Sequence, residues 1–359
     1  MNDKALERVL QGVLRSVLPL MPAQLRRISL LCRALLLAGR VELRFLARCL
    51  PNPSQQDSRL RWLRRTLAAP YLRYEFVYRP IVAQQLARLR LKRWHLIIDR
   101  TALIPGTVDW VTIGLYYRKR ALPLIWQEVP YGGTSAQVYC DLIRQVAPLL
   151  PADAQVIFQG DSEFGNLAIL RCLQALGWDF IIAHAAKTHV WINGVAQPLG
   201  CLPVTPTQPY YCTDVKLFAA AALGTFNLVA FPQPHYDKNG RLKRDTCYLI
   251  TSLPLTLPIR SLGRRRWAIE PFHKDYKSSG WHLTATRTHP PQRAGLLLVA
   301  ALCYWLCVCL GRWLCKTGQR ASIDAQSKRR LSLFRLGWDF IVHCVNVQAT
   351  IPFCLRLYL

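Results

Sequence analysis

The pattern of apolar and polar positions divides the chain into a helical start, a mixed middle and a helical end. Residues 1–90 are rich in Leu and Arg and contain few strand-forming residues, which predicts helices. The stretch 41–50 ends at a P-N-P-S loop, and a further helix is predicted to begin near Asp57, which can serve as its N-cap. We therefore expect residues 1–90 to form a helical region.

The helix predicted over residues 57–68 has one apolar face and one basic face. Leucines occupy the apolar face and arginines the other: Leu60, Leu63 and Leu67 against Arg61, Arg64 and Arg65. A basic helix face of this kind suits contact with DNA phosphates. An ordinary solvent-exposed face has the same pattern, so both interpretations stay open.

From residue 91 the chain changes to short apolar runs that are typical of strands. These runs are 94–100, 110–118, 121–128, 154–161 and 178–184, with a hairpin predicted at R-K-R and helices over 135–150 and 166–177. Strands that alternate with helices predict an α/β layered domain. Residues 185–255 contain an Asn-Gly hairpin signal and further strand runs, which predicts a β-rich insertion. After residue 260 the pattern is helical again.

Residues 294–311 form an uncharged and mostly apolar run of 18 residues between Arg293 and Arg312. That length just reaches what a membrane-spanning helix needs. The central helix of a large soluble core has the same composition. The pattern alone leaves both possibilities open, and the motifs described below favour the buried helix.

The charge of the chain indicates a polyanionic partner. Lys and Arg number 47 against 20 Asp and Glu, a net charge of +27. Residues 1–90 contain 17 basic and five acidic residues, whereas residues 91–190 contain nine and eight. Nucleic acid is the commonest extended polyanion, with an anionic membrane surface as the rival. A carboxylate-rich middle between basic flanks suits an enzyme that holds cations centrally and binds phosphates at its edges.

Two further features bear on the cell compartment. The N-terminal sequence M-N-D-K-A-L-E-R has charges where a signal peptide needs an apolar core, so we expect a cytoplasmic protein. The 13 cysteines include no C-x-x-C pair, which favours small buried hydrophobic residues over zinc ligands or disulfides.

Two acids are predicted at the ends of strands, Asp99 after L-I-I and Asp161 after V-I-F-Q-G. Carboxylates on neighbouring strands can hold a pair of divalent cations for phosphoryl transfer, and oxygen ligands select Mg²⁺ or Mn²⁺. A turn or a helix cap would explain either acid singly. Glu163 and Asp109 lie nearby in sequence and are alternatives to Asp161 and Asp99.

A third acid lies in R-R-R-W-A-I-E-P-F-H-K-D-Y-K, residues 264–277. If this segment is one helix, a single face carries Glu270 among cations, and Ile269, Phe272 and Tyr276 line another face. The cations on the first face are Arg266, Lys274 and Lys277. This pattern suits a metal ligand flanked by phosphate-binding groups, although a surface helix with Glu–Lys pairs looks similar. Pro271 predicts that the helix begins or kinks at Glu270.

This segment resembles the DDE transposases of bacterial insertion sequences, in the branch with a Tyr-Arg-Glu-Lys signature that is similar to insertion-sequence family four. Arg266, Glu270 and Lys277 match the last three signature positions at the family's spacing, whereas Gly263 stands in place of the tyrosine. D-R-T at 99–101 and G-D-S-E-F-G at 160–165 resemble the family's two Asp motifs. The resemblance spans roughly residues 40–310.

The resemblance implies an α/β fold, with an RNase H-like mixed-sheet catalytic core at 91–310 that contains the β-rich insertion at about 185–255. Helical basic regions would precede it at 1–90 and follow it at 311–359. It implies a DNA transposase in which Asp99, Asp161 and Glu270 hold two Mg²⁺ or Mn²⁺ ions and cut and join the ends of the element.

The resemblance also implies which residues bind DNA and which partners the protein has. Arg266, Lys274 and Lys277 would bind phosphates near the scissile bond, with Arg61, Arg64 and Arg65 adding affinity for DNA. The partners would be the terminal inverted repeats and the target DNA, bound by a homodimer in the nucleoid, with no membrane contact.

Several alternatives remain open from the sequence. A nuclease of the same fold would cut without strand transfer, and a non-catalytic DNA-binding or membrane-associated protein would carry the acids by coincidence. His273 is a candidate for proton transfer, and Trp267 and Trp281 are candidates for stacking on a DNA base, with core packing as the alternative for each. Gly263 and Pro271 leave open whether this copy is active.

Overall fold

Helices fill the N-terminal quarter of the chain, as its composition predicts. The computed structural model describes residues 3–205, 207–218, 223–236, 239–278, 280–325 and 329–352. Its first five α-helices are α1 (Asp3–Arg15), α2 (Pro22–Ala38), α3 (Leu43–Arg48), α4 (Gln56–Leu67) and α5 (Arg79–Ala87). A π-helical turn at Tyr74–Tyr78 leads directly into α5.

Helix α4 is the amphipathic helix that the sequence predicts, with one difference at its start. Its leucines are buried and Arg61, Arg64 and Arg65 are exposed. The N-cap is Gln55, not Asp57, because the chain is still extended at Gln55 and turns helical at Gln56. Asp57 lies in the first turn instead, where its negative charge is favourable near the positive end of the helix dipole.

Ten strands follow in the described part of the chain, and the five predicted runs between residues 94 and 184 are all confirmed. The strands are β1 (Trp94–Ile104), β2 (Val108–Tyr117), β3 (Arg120–Pro130), β4 (Val156–Gly160), β5 (Asp179–His184), β6 (His189–Ile192), β7 (Val195–Pro198), β8 (Tyr210–Val215), β9 (Phe226–Tyr236) and β10 (Leu242–Thr251). The predicted R-K-R turn joins β2 to β3. Helices α6 (Ala136–Val146) and α7 (Leu167–Ala175) follow β3 and β4, and Gly177 lies just beyond α7 with a positive φ of 66°.

The first five strands form an RNase H-like core, which confirms the predicted fold class. The sheet order is β3-β2-β1-β4-β5 along this part, with β1, β4 and β5 mutually parallel and the β1–β2–β3 meander antiparallel. Parallel strands joined by crossover helices place their carboxyl ends at one edge of the sheet, the usual place for a functional site in α/β folds.

The strands predicted between residues 185 and 255 are also confirmed, and most of them extend the central sheet. Strand β10 pairs antiparallel with β5, and β9 and β8 continue beyond it, so that the sheet has eight strands. Among the strands in the described ranges, only β6 and β7 form a separate pair, closed by the predicted turn at Asn193 and Gly194, both with positive φ. The β-rich insertion therefore shares a sheet with the core.

The C-terminal part is helical, as predicted after residue 260. It contains α8 (Ile259–Gly263), a 3₁₀ segment (Arg264–Ala268), α9 (Ile269–Tyr276), α10 (Pro290–Lys316) and α11 (Leu333–Asn346). Helix α10 contains the apolar run 294–311 and is long and apolar enough to cross a membrane. However, 94% of the residues in its most apolar stretch of 18 are buried inside the protein. The side chains that could face lipid are therefore already in contact with protein, as the buried-helix interpretation expects.

Candidate functional site

Asp99 lies on β1, and Asp161 directly follows the neighbouring parallel strand β4. The β1–β4 pairing runs from Trp94↔Val156 to Ile97↔Gln159, and continuing that register by two residues places Asp99 opposite Asp161. Because side chains alternate across a strand, each acid lies on the same face as the residue two positions before it. The two acids are thus brought together by strand register.

The prediction that Asp99 ends its strand is wrong in one respect. Strand β1 continues to Ile104 because β2 stays paired with it beyond this point, Asp99 itself lying opposite Thr112. Only the pairing with β4 stops before Asp99. Asp161 does follow the last residue of its strand, and it caps a 3₁₀ turn at Ser162–Phe164 by accepting the backbone N–H of Glu163 at 3.0 Å.

The glycines on either side of Asp161 are required by close packing. A Cβ on Gly160 would lie 2.9 Å from the Cβ of Phe164, and a Cβ on Gly165 would lie 2.4 Å from Cε1 of His184. Real Cβ atoms do not approach other atoms so closely, so the G-D-S-E-F-G motif forms this tight turn only with glycine at both places. The turn holds the Asp161 backbone against β1 and β5.

The segment that carries Glu270 is anchored to β4, and its α-helix begins next to Glu270, as Pro271 predicts, so that the segment is not one continuous helix. The buried side chain of Gln159 donates from Nε2 to the carbonyl oxygen of Leu262 at 2.8 Å, which ties α8 to the strand before Asp161. A 3₁₀ segment then carries Arg266, and α9 begins at Ile269 with Pro271 in its first turn. The i, i+4 register between Arg266 and Glu270 is therefore broken, because proline is accommodated only in the first turn of a helix.

The two faces predicted for this segment are nevertheless present on α9. Ile269, Phe272 and Tyr276 are fully buried in the core, while Glu270 and Lys274 are exposed. The apolar side chains fix the helix against the sheet, and the carboxylate of Glu270 stays accessible.

The electrostatics show that the three acids and Arg266 act on one another. Burial, the Asp161 carboxylate and, to a smaller extent, Glu270 raise the pKa of Asp99, whereas Arg266 lowers it, and the resulting pKa is about 7. Burial also raises the pKa of Glu270, against the opposing effect of Arg266. These carboxylates repel one another, and one arginine offsets only part of that repulsion.

Lys277 joins this group from the end of α9. Its Nζ donates to Oγ1 of Thr101, within the D-R-T motif. Burial lowers the pKa of Lys277, whereas the nearby acids Asp99 and Asp109 raise it. Of the predicted phosphate-binding residues, Arg266 and Lys277 thus lie at the acids and Lys274 lies exposed on α9, while Arg61, Arg64 and Arg65 lie on α4 in the N-terminal region.

Glu163 and Asp109, the alternative ligands, are held by an arginine that sequence reasoning missed. Arg100 lies 2.7 Å from the Glu163 carboxylate through Nε and 2.6 Å from the Asp109 carboxylate through NH1. Asp109 also accepts the backbone N–H of Gly132, and Glu163 accepts the hydroxyl of Tyr139. Both acids are occupied by these contacts, so Asp99 and Asp161 are the better candidates. The only sequence signal for Arg100 was its place directly after Asp99.

The aromatic and histidine candidates divide by burial. Trp281 is fully buried, so it packs in the core and is not accessible to a DNA base, whereas Trp267 is 42% exposed beneath the Arg266 guanidinium. His273 stacks on Trp110, and its Nδ1 lies 3.7 Å from Oδ2 of Asp99. Burial and Lys277 lower the pKa of His273 to about 3, so the ring is neutral and does not balance the Asp99 charge.

Gly263, the position of the signature tyrosine, is packed too closely for a large side chain. A Cβ at Gly263 would lie 2.7 Å from Cδ1 of Leu249 and 3.5 Å from Cγ2 of Ile181. The cavity beside it has a volume of about 40 Å³. The close packing of α8 on β5 and β10 therefore explains why glycine and not tyrosine stands at this position.

We expect Gly263→Tyr to lower the free energy of unfolding by about 1–3 kcal/mol, because the ring must displace buried side chains. Urea denaturation would measure the loss, with Gly12→Tyr as control, since a Cβ at that exposed helical glycine meets no atom within 4 Å. Adding Leu249→Ala should recover part of the stability of Gly263→Tyr. Equal stabilities of the two tyrosine variants would contradict the packing argument.

The donor set suits divalent cations, although the acids do not form a closed cage. Among the residues that the structure describes, no three His, Cys, Asp or Glu side chains are grouped tightly enough to hold one ion together. Asp99, Asp161 and Glu270 supply only oxygen atoms, which suits Mg²⁺ or Mn²⁺. A cation between them would relieve their mutual repulsion.

Comparison with known proteins identifies the region that contains this site. The family model described as the transposase DDE domain matches residues 91–307, which is more than half of the chain. No curated protein sequence matches the chain. One similar solved structure is that of the piggyBac transposase in a synaptic complex with hairpin DNA, which is 10% identical with a TM-score of 0.44, covering 98% of this chain and 80% of that one.

Proposed function

Because this chain belongs to the family of transposases with a DDE catalytic domain, we propose that it moves an insertion sequence by cutting and joining DNA at the two ends of that element. The finer assignment, to the bacterial branch with the Tyr-Arg-Glu-Lys signature, is supported by the spacing of Arg266, Glu270 and Lys277. A DDE-type transposase acts on DNA, which accounts for the net charge of +27.

We propose Asp99, Asp161 and Glu270 as the acidic triad. The observation that carries this assignment is the β1–β4 register, which brings Asp99 close to Asp161 when it is continued by two residues beyond the pair Ile97↔Gln159. The effect of the Glu270 charge on the pKa of Asp99 supports Glu270 as the third member. DDE transposases generally use divalent metal ions, and Mg²⁺ or Mn²⁺ held here would activate the attacking hydroxyl group and stabilise the leaving oxygen.

The side chains around the triad would position the DNA phosphate. Lys277 is held at Thr101, so its ammonium group lies beside Asp99, where it can neutralise a phosphate oxygen. Arg266 partly balances the acids when no DNA is bound and can turn its guanidinium to the phosphate. Lys274 is exposed one turn after Glu270 on α9 and would bind the neighbouring backbone.

The partners follow from this chemistry. The terminal inverted repeats and the target DNA are the expected substrates, and two protomers are expected, one for each end of the element. The exposed arginines of α4 would add contacts to the backbone of the end sequence. Such a protein would act on the nucleoid in the cytoplasm.

The test uses the purified protein with labelled DNA from both flanks of its own gene and a target plasmid. We expect cuts at two inverted termini with Mg²⁺ or Mn²⁺, none with EDTA, and joining of the cut ends to the plasmid. Asp161→Ala and Glu270→Gln should abolish cutting and keep DNA binding, and Asp141→Ala, on the exposed side of α6, should cut normally.

Each other outcome would contradict a different part of the proposal. Cuts that persist in both triad variants would place the active site elsewhere. Cutting without joining would indicate a nuclease of the same fold.

A further inference from the structure

An open groove begins at Glu270 and runs between α9 and the start of α11. Its volume is about 520 Å³, and its charged lining consists of Arg120, Glu270, Lys274, Asp275, Arg330 and Arg335. The C-terminal region thus contributes one wall of a groove whose other wall carries a proposed catalytic acid.

The groove has more positive than negative side chains, and two of the cations are fixed in place. The guanidinium of Arg120 lies 2.8 Å from the Asp275 carboxylate, and Arg335 lies 2.8 Å from Asp339 and over the ring of Trp338. Lys274 and Arg330 are exposed. With Asp339 included, four cations face three acids, so the groove keeps a net positive charge and attracts anions.

We propose that this groove binds the phosphate backbone of the DNA duplex next to the scissile phosphate, with Arg330 and Arg335 on one side and Lys274 on the other. The inference rests on the proposed function, because it takes Glu270 to mark where the scissile phosphate lies. It assigns residues 330–335 to the active-site cleft, as a continuation of the surface that holds the reacting strand.

The shape and charge of the groove favour DNA over a protein partner. A protein-binding groove is usually lined by exposed apolar anchors, but here the one aromatic lining residue, Phe334, is almost completely buried and six of the ten lining residues are charged. A duplex presents a regular row of phosphates, and a groove that leads away from the reacting phosphate would meet the next ones in that row. The segment 291–359 contains nine basic and only two acidic residues, which agrees with a DNA-facing role.

Arg330 and Arg329 provide a matched pair for the test. They are adjacent and both exposed, but Arg330 lines this groove, whereas Arg329 lines a separate cavity with Arg320 and Asp324. Binding of a fluorescent end-sequence duplex would be measured by anisotropy in EDTA, so that no cleavage is needed. We expect Arg330→Ala to weaken binding about 5–10-fold near 0.15 M salt and to reduce the slope of log affinity against log salt by about one. Arg329→Ala should bind as the wild type does.

A neutral methylphosphonate placed at single positions of the duplex then locates the contact. In the wild type, affinity should fall when the substitution lies within a few phosphates of the cut, and in Arg330→Ala the same substitution should have no further effect. In Lys274→Ala, the affinity should no longer depend on a methylphosphonate at a different phosphate, the one that faces the other side of the groove. Equal affinities of Arg330→Ala and Arg329→Ala, or sensitivity far from the cut, would overturn the proposal.

Different results would overturn the proposed function and the proposed DNA-binding groove. Binding that depends on Arg330, in a protein that never cuts its end DNA, would overturn the proposed function and keep the groove as a DNA site. Metal-dependent cutting and binding that are both indifferent to Arg330 would overturn the groove and keep the proposed function.

Discussion

Asp99→Asn is expected to abolish DNA cleavage and, at the same time, to make the folded protein more stable above pH 7. Asp99 is largely buried, and burial together with the Asp161 carboxylate raises its pKa from 3.8 to about 7. Its charged form therefore weakens the fold. Asparagine keeps the size of the side chain and removes the charge, so the repulsion from Asp161 and Glu270 disappears.

The sign of the pH dependence follows from proton linkage. Between pH 3.8 and about 7 the folded protein keeps a proton on Asp99 that the unfolded chain has lost, so stability falls as the pH rises through this range. Above it the full penalty is present, on the order of 4 kcal/mol, because each pKa unit corresponds to about 1.4 kcal/mol. The free energy of unfolding of Asp99→Asn should thus equal that of the wild type near pH 4 and exceed it at pH 8.

Urea denaturation in EDTA at pH 5 and pH 8 measures this difference, and Asp153→Asn is the control, because Asp153 is exposed. Cleavage of end DNA by Asp99→Asn should fall by at least about 1,000-fold, since the loss of a ligand to a catalytic cation removes several kcal/mol of transition-state stabilisation. If the variant is inactive but no more stable than the wild type at pH 8, the charge of Asp99 does not destabilise the folded protein. A fully active variant would remove Asp99 from the triad.

The sequence predicted the acids of the site one by one but not their proximity. Asp99, Asp161 and Glu270 each follow or begin an element that hydrophobic periodicity predicts, so their motifs could be found one by one. Their meeting depends on the β1–β4 register and on the bond from Gln159 to Leu262, both of which join residues distant in sequence. Local patterns contain no information on such contacts.

The misplaced end of β1 has the same cause. The sequence predicted the end of β1 at Asp99, because its apolar run stops there, but pairing with β2 carries the strand on to Ile104. In the segment 264–277, by contrast, Pro271 predicted that the helix begins or kinks at Glu270, and α9 does begin at Ile269, after a 3₁₀ segment that carries Arg266. Tertiary pairing overrides local periodicity at the end of β1, and proline geometry overrides it in the segment 264–277.

Arg100→Ala is expected to be among the most destabilising single substitutions in the site, although Arg100 is not a member of the triad. Its guanidinium joins β1 to Asp109 on β2 and to Glu163 in the turn after Asp161. The Asp109 side chain is only 6% exposed. Removing the cation leaves a buried carboxylate without its counter-charge, which typically costs about 3–5 kcal/mol.

The matched control is Arg144→Ala, which breaks the Arg144–Asp141 pair of α6. Both of those side chains are about half exposed, so this loss should stay within about 0.5 kcal/mol. Arg100→Lys should recover only part of the stability, because an ammonium group cannot bind two carboxylates in the planar geometry of a guanidinium. Urea denaturation of the four proteins, wild type included, gives the comparison.

A double-mutant cycle separates charge pairing from simple loss of packing. If Arg100 acts by neutralising Asp109, the double variant Arg100→Ala/Asp109→Asn should be more stable than the sum of the single effects by about 1–3 kcal/mol. Strict additivity would mean that the ion pair contributes nothing. Because Arg100 also holds the turn that carries Asp161, we expect Arg100→Ala to need more Mg²⁺ for half-maximal cleavage, with Arg100→Lys intermediate. A purely structural role would lower the amount of folded enzyme and leave that Mg²⁺ requirement unchanged.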